Sequence, residues 1–140
     1  MNPAEMKCVL VIDENLPLGL IANTAAVLGV TLGKIVAGIT GPDIPDADGT
    51  THLGIVNVPL PILKGNEELL RDLRLRLNGD EFAGLVVVDF TDAAQGIHVY
   101  EDYAAKMAGL AGSELRYFGL AICGDKKRVN RLTGSLPLLR

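Results

Sequence analysis

Short apolar runs and amphipathic repeats alternate along this chain. Residues 7–12 read Lys-Cys-Val-Leu-Val-Ile. That run is too short for a helix and has no polar alternation, so it predicts a fully buried first strand. Asp13 and Glu14 close it, and Asn15 stands where a helix cap belongs, with Pro17 tolerated in the first turn. A helix is expected over about residues 16–34. Laid out at about 100° per residue, it has two faces. Leu18, Ile21, Ala22, Ala25, Leu28, Gly29 and Leu32 form the expected core stripe. Leu20, Asn23, Thr24, Val27, Val30 and Thr31 form a second face that is too apolar for open solvent. That face calls for a cover from another helix, a long loop or a second subunit.

Beyond it, residues 37–63 are rich in Gly and Pro and have no helical period. Residues 41–55 look like a hairpin turning at Asp48-Gly49. Pro59 and Pro61 then mark an extended edge segment, because proline cannot donate to a central ladder. Asn66 is the expected cap of the next helix, with Glu67 and Glu68 favourably placed in its first turn. Leu69, Leu70, Leu73 and Leu77 would be its buried stripe, Arg71, Asp72, Arg74 and Arg76 its wet face, and Asn78-Gly79 its stop. Residues 84–90 read as a second buried strand, residues 95–100 are ambiguous, and residues 100–110 predict a helix with Tyr103, Ala104, Met107 and Ala108 inward. Residues 116–123 are a third strong strand. Gly124-Asp125 turns into a short helix over 126–132, closed by Thr133-Gly134. There is no internal repeat, linker or low-complexity segment. Strands alternating with helices predict one α/β domain over residues 1–140 with a mostly parallel or mixed sheet.

Composition agrees with a packed core. The chain has 140 residues, 49% hydrophobic and 21% charged, which is a globular balance. Aromatics are only 4% and Trp is absent, so Leu, Val, Ile and Ala must fill the interior. A net charge of −4 gives no global sign of the basic face that a nucleic-acid binder usually carries for phosphate contacts, and nucleic acid is not an expected partner. Lys126, Lys127, Arg128 and Arg131 are the one dense basic cluster and read as a solvated helix face. Cys8 and Cys123 lie far apart, each in an apolar run and without a C-x-x-C pattern. They are expected to be reduced, buried thiols of a cytoplasmic protein. No signal peptide is expected, and the apolar stretch 20–36, broken by Asn23, Thr24, Thr31 and Lys34, reads as too polar to span a membrane.

Chemistry is expected where the strands end, because ligands in open α/β sheets bind outside the carboxyl ends of the strands. The first strand delivers Asp13, Glu14 and Asn15, the second Asp89, Thr91 and Asp92, and the third Gly124, Asp125 and Lys126. If the three are parallel neighbours, their ends converge on one rim. No G-x-S-x-G, G-x-G-x-x-G or Walker A pattern is present, and no cofactor is expected. Asp46–Gly49 resembles a fragment of a calcium loop but lacks the remaining ligands, so it reads as a turn and no metal site is expected. His52, in the acidic hairpin, is a candidate acid, base or hydrogen-bond partner. Asn23 is either a structurally bonded helix amide or a pocket amide near the rim. Asp125 is either a helix cap or part of an anion nest. The candidate pocket is therefore Asn15, Asn23, His52, Thr91, Asp92 and Asp125.

These segments carry a resemblance. N-L-P-L-G-L-I-A-N-T-A-A-V-L-G, D-A-D-G-T-T-H-L-G-I, P-L-P-I-L-K and G-L-A-I-C-G-D-K-K-R-V-N-R-L-T-G-S-L-P-L-L occur in that order and span nearly the whole chain. They resemble the family called domain of unknown function two thousand. That family looks like a branch of the type II peptidyl-tRNA hydrolase superfamily, with which the chain shares Asn15-Leu16, an Ala-rich helix through Ala26 and the L-T-G-S-L-P-L-L tail from Leu132. The resemblance implies a three-layer α/β/α fold with a small mixed sheet, and a homodimer. The hydrolases place a Lys early in the first helix and follow it with A-Q-x-x-H-A. Here Gly19, Leu20 and Ile21 occupy the Lys region, Asn23 sits near the Gln and Ala26 near the His. Their D-A-G-x-T element corresponds only loosely to residues 89–92. The expected role is thus a ligand-binding or dimerisation module on that fold. The alternative is a hydrolase of small acyl or ester substrates, with peptidyl-tRNA itself less favoured.

Overall fold

The first apolar run becomes β1 (Met6–Asp13), followed by α1 (Leu18–Ile35). This is a computed structural model that describes residues 2–140. A hairpin of β2 (Ile44–Pro45) and β3 (Thr51–His52) comes next, then β4 (Ile62–Gly65) and α2 (Glu67–Leu77). The chain ends with β5 (Val86–Thr91), α3 (Tyr100–Ala108), β6 (Tyr117–Asp125) and α4 (Lys126–Thr133). The fold is α/β. Its main sheet has the order β4-β1-β6-β5 and is mixed: β1 is parallel to β4, and β6 is antiparallel to both β1 and β5.

Successive residues of a strand point to opposite faces, so the continuous apolar runs serve two cores. Val9, Val11, Leu120 and Ile122 meet Leu70, Leu73 and Leu77 of α2 and Val129 and Leu132 of α4. Cys8, Leu10, Ile12, Phe118 and Ala121 meet Leu28 and Leu32 of α1 on the other side. Helices thus cover both faces of the sheet. Both hairpin and α2 form as their residues require. Gly49 has a φ of 83° at the Asp48-Gly49 turn, and the Asn66 side chain accepts from the Leu69 N–H at 2.8 Å. The edge strand β4 is shielded by the C-terminal tail. Leu63 bridges Leu138, the Lys64 N–H donates to the Pro137 carbonyl at 2.8 Å, and the Leu139 N–H donates to that of Ile62 at 2.9 Å.

Helix α1 departs from the expected phase. Its buried residues are Thr24, Leu28 and Leu32, whereas Leu18 is 82% exposed and Ala22 faces water. Thr24 belongs to the core because its hydroxyl donates to the Leu20 carbonyl at 2.7 Å, leaving a methyl group to pack. Gly119 in β6 makes room for it: a Cβ there would lie 2.8 Å from Thr24 Cγ2 and 3.1 Å from the Val11 carbonyl oxygen. Nor does Asn15 cap the helix. Pro17 holds that position without a side-chain bond, and the Asn15 N–H donates to Asp13 Oδ1 at 2.9 Å. Helix α1 has a mean hydropathy of 1.6 over 18 residues, long and apolar enough by those measures to cross a membrane. The expectation that it is too polar is therefore corrected; in the fold it packs on β1, β5 and β6.

Two more expectations change. Cys8 and Cys123 are joined in a disulfide across 115 positions of sequence. They are directly opposed in the antiparallel β1–β6 ladder, which brings their side chains within bonding reach. Disulfides concentrate in oxidising compartments, so the two cysteines no longer argue for a reducing one. In α3 no residue is buried. Tyr103 and Met107 are half-buried, while Ala104 and Ala108 are exposed. The basic cluster on α4 is partly used within the chain: Arg128 donates to the Ala83 carbonyl, and Arg131 pairs with Glu81.

The close approach of α1 to β6 is testable. Gly119→Ala is expected to destabilise the protein by about 1–3 kcal/mol through overpacking, read as a lower urea midpoint. Adding Thr24→Ser, which removes the clashing methyl, should recover part of that loss.

Candidate functional site

Because β6 is antiparallel to both neighbours, β1 and β5 are parallel to each other and their carboxyl ends share one rim with the start of β6. Asp13 ends β1, Thr91 ends β5 and Asp92 follows it, while Arg116 immediately precedes β6. Asp125 lies at the far end of the sheet, where β6 pairs with Met6. It caps α4 by accepting from the Arg128 N–H at 3.1 Å. It is therefore a cap and not a member of the rim. The convergence of three strand ends fails for that one because its strand runs the other way.

Arg116 organises the rim, and the sequence reading missed it. Its guanidinium Nη2 donates to Asp13 Oδ2 at 3.2 Å, and its Nε lies 3.8 Å from Glu67 Oε2. Its backbone is clamped by Asp92: the Arg116 N–H donates to Asp92 Oδ1 at 3.2 Å, and the Asp92 N–H donates to the Arg116 carbonyl at 3.0 Å. Asp13 is only 1% exposed. A buried carboxylate needs both a counter-charge and hydrogen bonds, and here Arg116 and the Asn15 N–H supply them. The Arg116 side chain is 41% exposed, so part of it remains open to the cleft beside it. That cleft has a volume of about 390 Å³. Leu16, Leu20 and Phe118 form its apolar wall, and Asn15, Asp92, Gln95 and Arg116 its polar groups. Of the expected pocket residues, Asn15 and Asp92 meet here.

Asn23 lies elsewhere. It is exposed on α1 and lines a groove of about 590 Å³ along β5. Val27 and Thr31 continue the α1 wall, Val88, Asp89 and Phe90 form the floor, and His98, Tyr100 and Tyr103 stand opposite. Asp89 is tied to Arg74 Nε at 3.1 Å. Burial, and after it the Asp89 charge, raise the Tyr103 phenol above its ordinary pKa, so it stays a neutral donor. Thr91 is fully buried and caps the turn after β5, accepting from the Ala93 N–H at 3.3 Å. Its role is structural. His52 lines neither cavity. It sits in the exposed β2–β3 hairpin, 2.8 Å from Asp46 Oδ2. The hydrogen bond from His52, followed by those from the Thr50 and Asp48 N–H groups, lowers the Asp46 pKa. Among the described residues, no group of three His, Cys, Asp or Glu side chains is placed to hold a metal ion.

Residues 6–140 match the model of a family described as protein of unknown function, DUF2000. The chain belongs to this family. No curated protein matches it. A solved structure of a protein of unknown function, Atu0240 from Agrobacterium tumefaciens strain C58, is similar with a TM-score of 0.85. It is 16% identical, and the match covers 96% of this chain and 97% of that one. At that identity the likeness speaks for the fold alone. In this DUF2000 chain the rim cleft is lined by no Ser, Cys or His among the described residues, so no nucleophile–imidazole pair forms there. What it offers is a guanidinium, a carboxylate and two amides beside an apolar wall.

Two outcomes follow. Arg116→Met, which leaves Asp13 buried without its cation, should destabilise the protein by about 2 kcal/mol, a figure reduced from a fully buried pair because Arg116 is half-exposed. Urea unfolding checks it, and Arg116→Lys should lose less. For the hairpin, the lowered Asp46 pKa means that the His52 contact stabilises the ionised carboxylate. Its contribution is complete above the ordinary aspartate range and is lost as pH falls through the lowered value. In His52→Ala, carbon-detected NMR titration should find Asp46 protonating at higher pH than in the parent.

Proposed function

We propose that the protein is a small-molecule binding module whose rim cleft takes a ligand carrying an acyl or amide group. The observation that carries this reading is Arg116, held from behind by buried Asp13 and through its backbone by Asp92, with part of its side chain left exposed. A pre-positioned donor needs no reordering when a ligand arrives. Asn15 and Gln95 add amide donors and acceptors, and Asp92 adds an acceptor. One such polar head above a short apolar wall matches a ligand with a planar polar group and a small hydrocarbon body. Helices on both faces of a small mixed sheet, together with the L-T-G-S-L-P-L-L tail, support a type II peptidyl-tRNA hydrolase-like fold. Peptidyl-tRNA is disfavoured as the ligand by the net charge of −4 and by Gly, Leu and Ile in the Lys region of α1.

A second reading, hydrolysis of a small acyl or ester substrate, is favoured by one feature. Asp92 lines the same cleft as Arg116 and accepts from its backbone N–H, which leaves its second carboxylate oxygen as the group that would activate a water. The expected homodimer is supported by apolar residues that α1 leaves exposed, among them Val30, 76% exposed on the side away from the sheet.

N-acetylglycine, acetate and glycinamide at millimolar concentration are suitable probes. N-acetylglycine should raise the melting temperature of the parent by mass action, and Asn15→Ala and Gln95→Ala should each remove the shift. No shift with any of the three compounds would sink the binding reading. Hydrolysis predicts acetate release from p-nitrophenyl acetate that Asp92→Asn abolishes; release unchanged in that variant eliminates it.

A further inference from the structure

We infer that the free edge of β5 accepts an extended peptide as an added strand. β5 is an outermost strand of the main sheet, with β6 on one side and no strand on the other. Every second residue of such a strand turns its N–H and C=O groups outward. Among the described residues, no main-chain bond outside the sheet ladder reaches residues 86–91. The opposite edge is treated differently, since the C-terminal tail bonds along β4.

Exposed edges are commonly blunted by charge, proline or a covering segment. β5 reads Val-Val-Val-Asp-Phe-Thr, with no proline. Its one charge, Asp89, is held in an ion pair with Arg74 of α2 at 3.1 Å. The edge is thus left able to pair.

It also sits in a groove of defined shape. Val27 of α1 rises on one side, Tyr100 and Tyr103 of α3 on the other, with Val88 and Phe90 between them. Outward backbone groups repeat at about 6.6–6.8 Å, twice the rise per residue of a strand. Another extended backbone is the partner that matches this repeat. Its alternate side chains would lie against Val27 and Phe90 on one side and against the tyrosines on the other, which selects apolar or β-branched residues at every second position. The occupant is a single extended segment, for which the groove of about 590 Å³ between Val27 and the tyrosines leaves room; pairing with a second copy of this chain is the alternative that the test separates. This groove is separate from the rim cleft, and the inference stands without the ligand reading.

The test uses the intact, disulfide-bonded chain and the peptide acetyl-Lys-Val-Thr-Val-Thr-Val-Lys-amide, followed by amide NMR. Binding should shift residues 86–91 and slow hydrogen exchange of the outward N–H groups by about tenfold or more. Two N-methylated peptides then probe the backbone directly. Methylation at alternate residues in one register should weaken binding about tenfold or more, and in the other register by less than about twofold. Equal affinity of both methylated peptides overturns strand addition, as does binding that shifts only residues away from β5. No shift at millimolar peptide also overturns it. Concentration-dependent protection of β5 in the free protein would assign the edge to a second copy and overturn the peptide as occupant.

Discussion

The antiparallel ladders on the two sides of β6 govern most of what this molecule offers chemically. With β6 reversed between β1 and β5, the carboxyl ends of those two strands are brought to one rim and the start of the third chain segment is placed between them. Arg116 enters the rim through this reversal, and Asp125 leaves it. The same ladder opposes Cys8 and Cys123, and sets Gly119 beside Ile12 and Phe90, where α1 can approach closely.

The rim is a polar site built around one buried charge. Asp13 is out of water, and leaving it without its half-exposed partner would cost about 2 kcal/mol. Arg116 is fixed in orientation by that demand, and the Asp92 clamp on its backbone fixes its position. The guanidinium is therefore already in place beside the cleft. The segment after β5 connects this rim to the β5 groove: Asp92 and Gln95 line the first, Ala94 and Ile97 the second.

Much of the fold was legible because its local signals agree with its tertiary context. Asn66 caps α2, Asp48-Gly49 turns the hairpin, and Pro59 and Pro61 precede an edge strand, as their residue chemistry requires. The site was legible only in part. Asn15 and Asp92 both line the rim cleft, as residues that follow strong strands, whereas Asn23, expected near the rim, lines the β5 groove instead. Arg116 carried a signal of its own, a charged residue directly before the third apolar run, but it counts only if that strand is reversed. Thr24 was misplaced because a threonine looks polar until its hydroxyl is seen bonded to its own helix.

By itself, then, the chain's pattern of apolar runs, caps and turns determined the kinds of elements, their approximate limits, the α/β class and membership of a family of unknown function. These are properties of neighbouring residues, set by backbone sterics, capping bonds and periodic burial. Strand direction, the Cys8–Cys123 pairing, the partner of Asp13 and the open edge of β5 were decided only in the tertiary structure. Each of them joins positions tens of residues apart or more. No local preference encodes which way a buried strand must run; that is settled when both of its faces and both of its edges find their partners together.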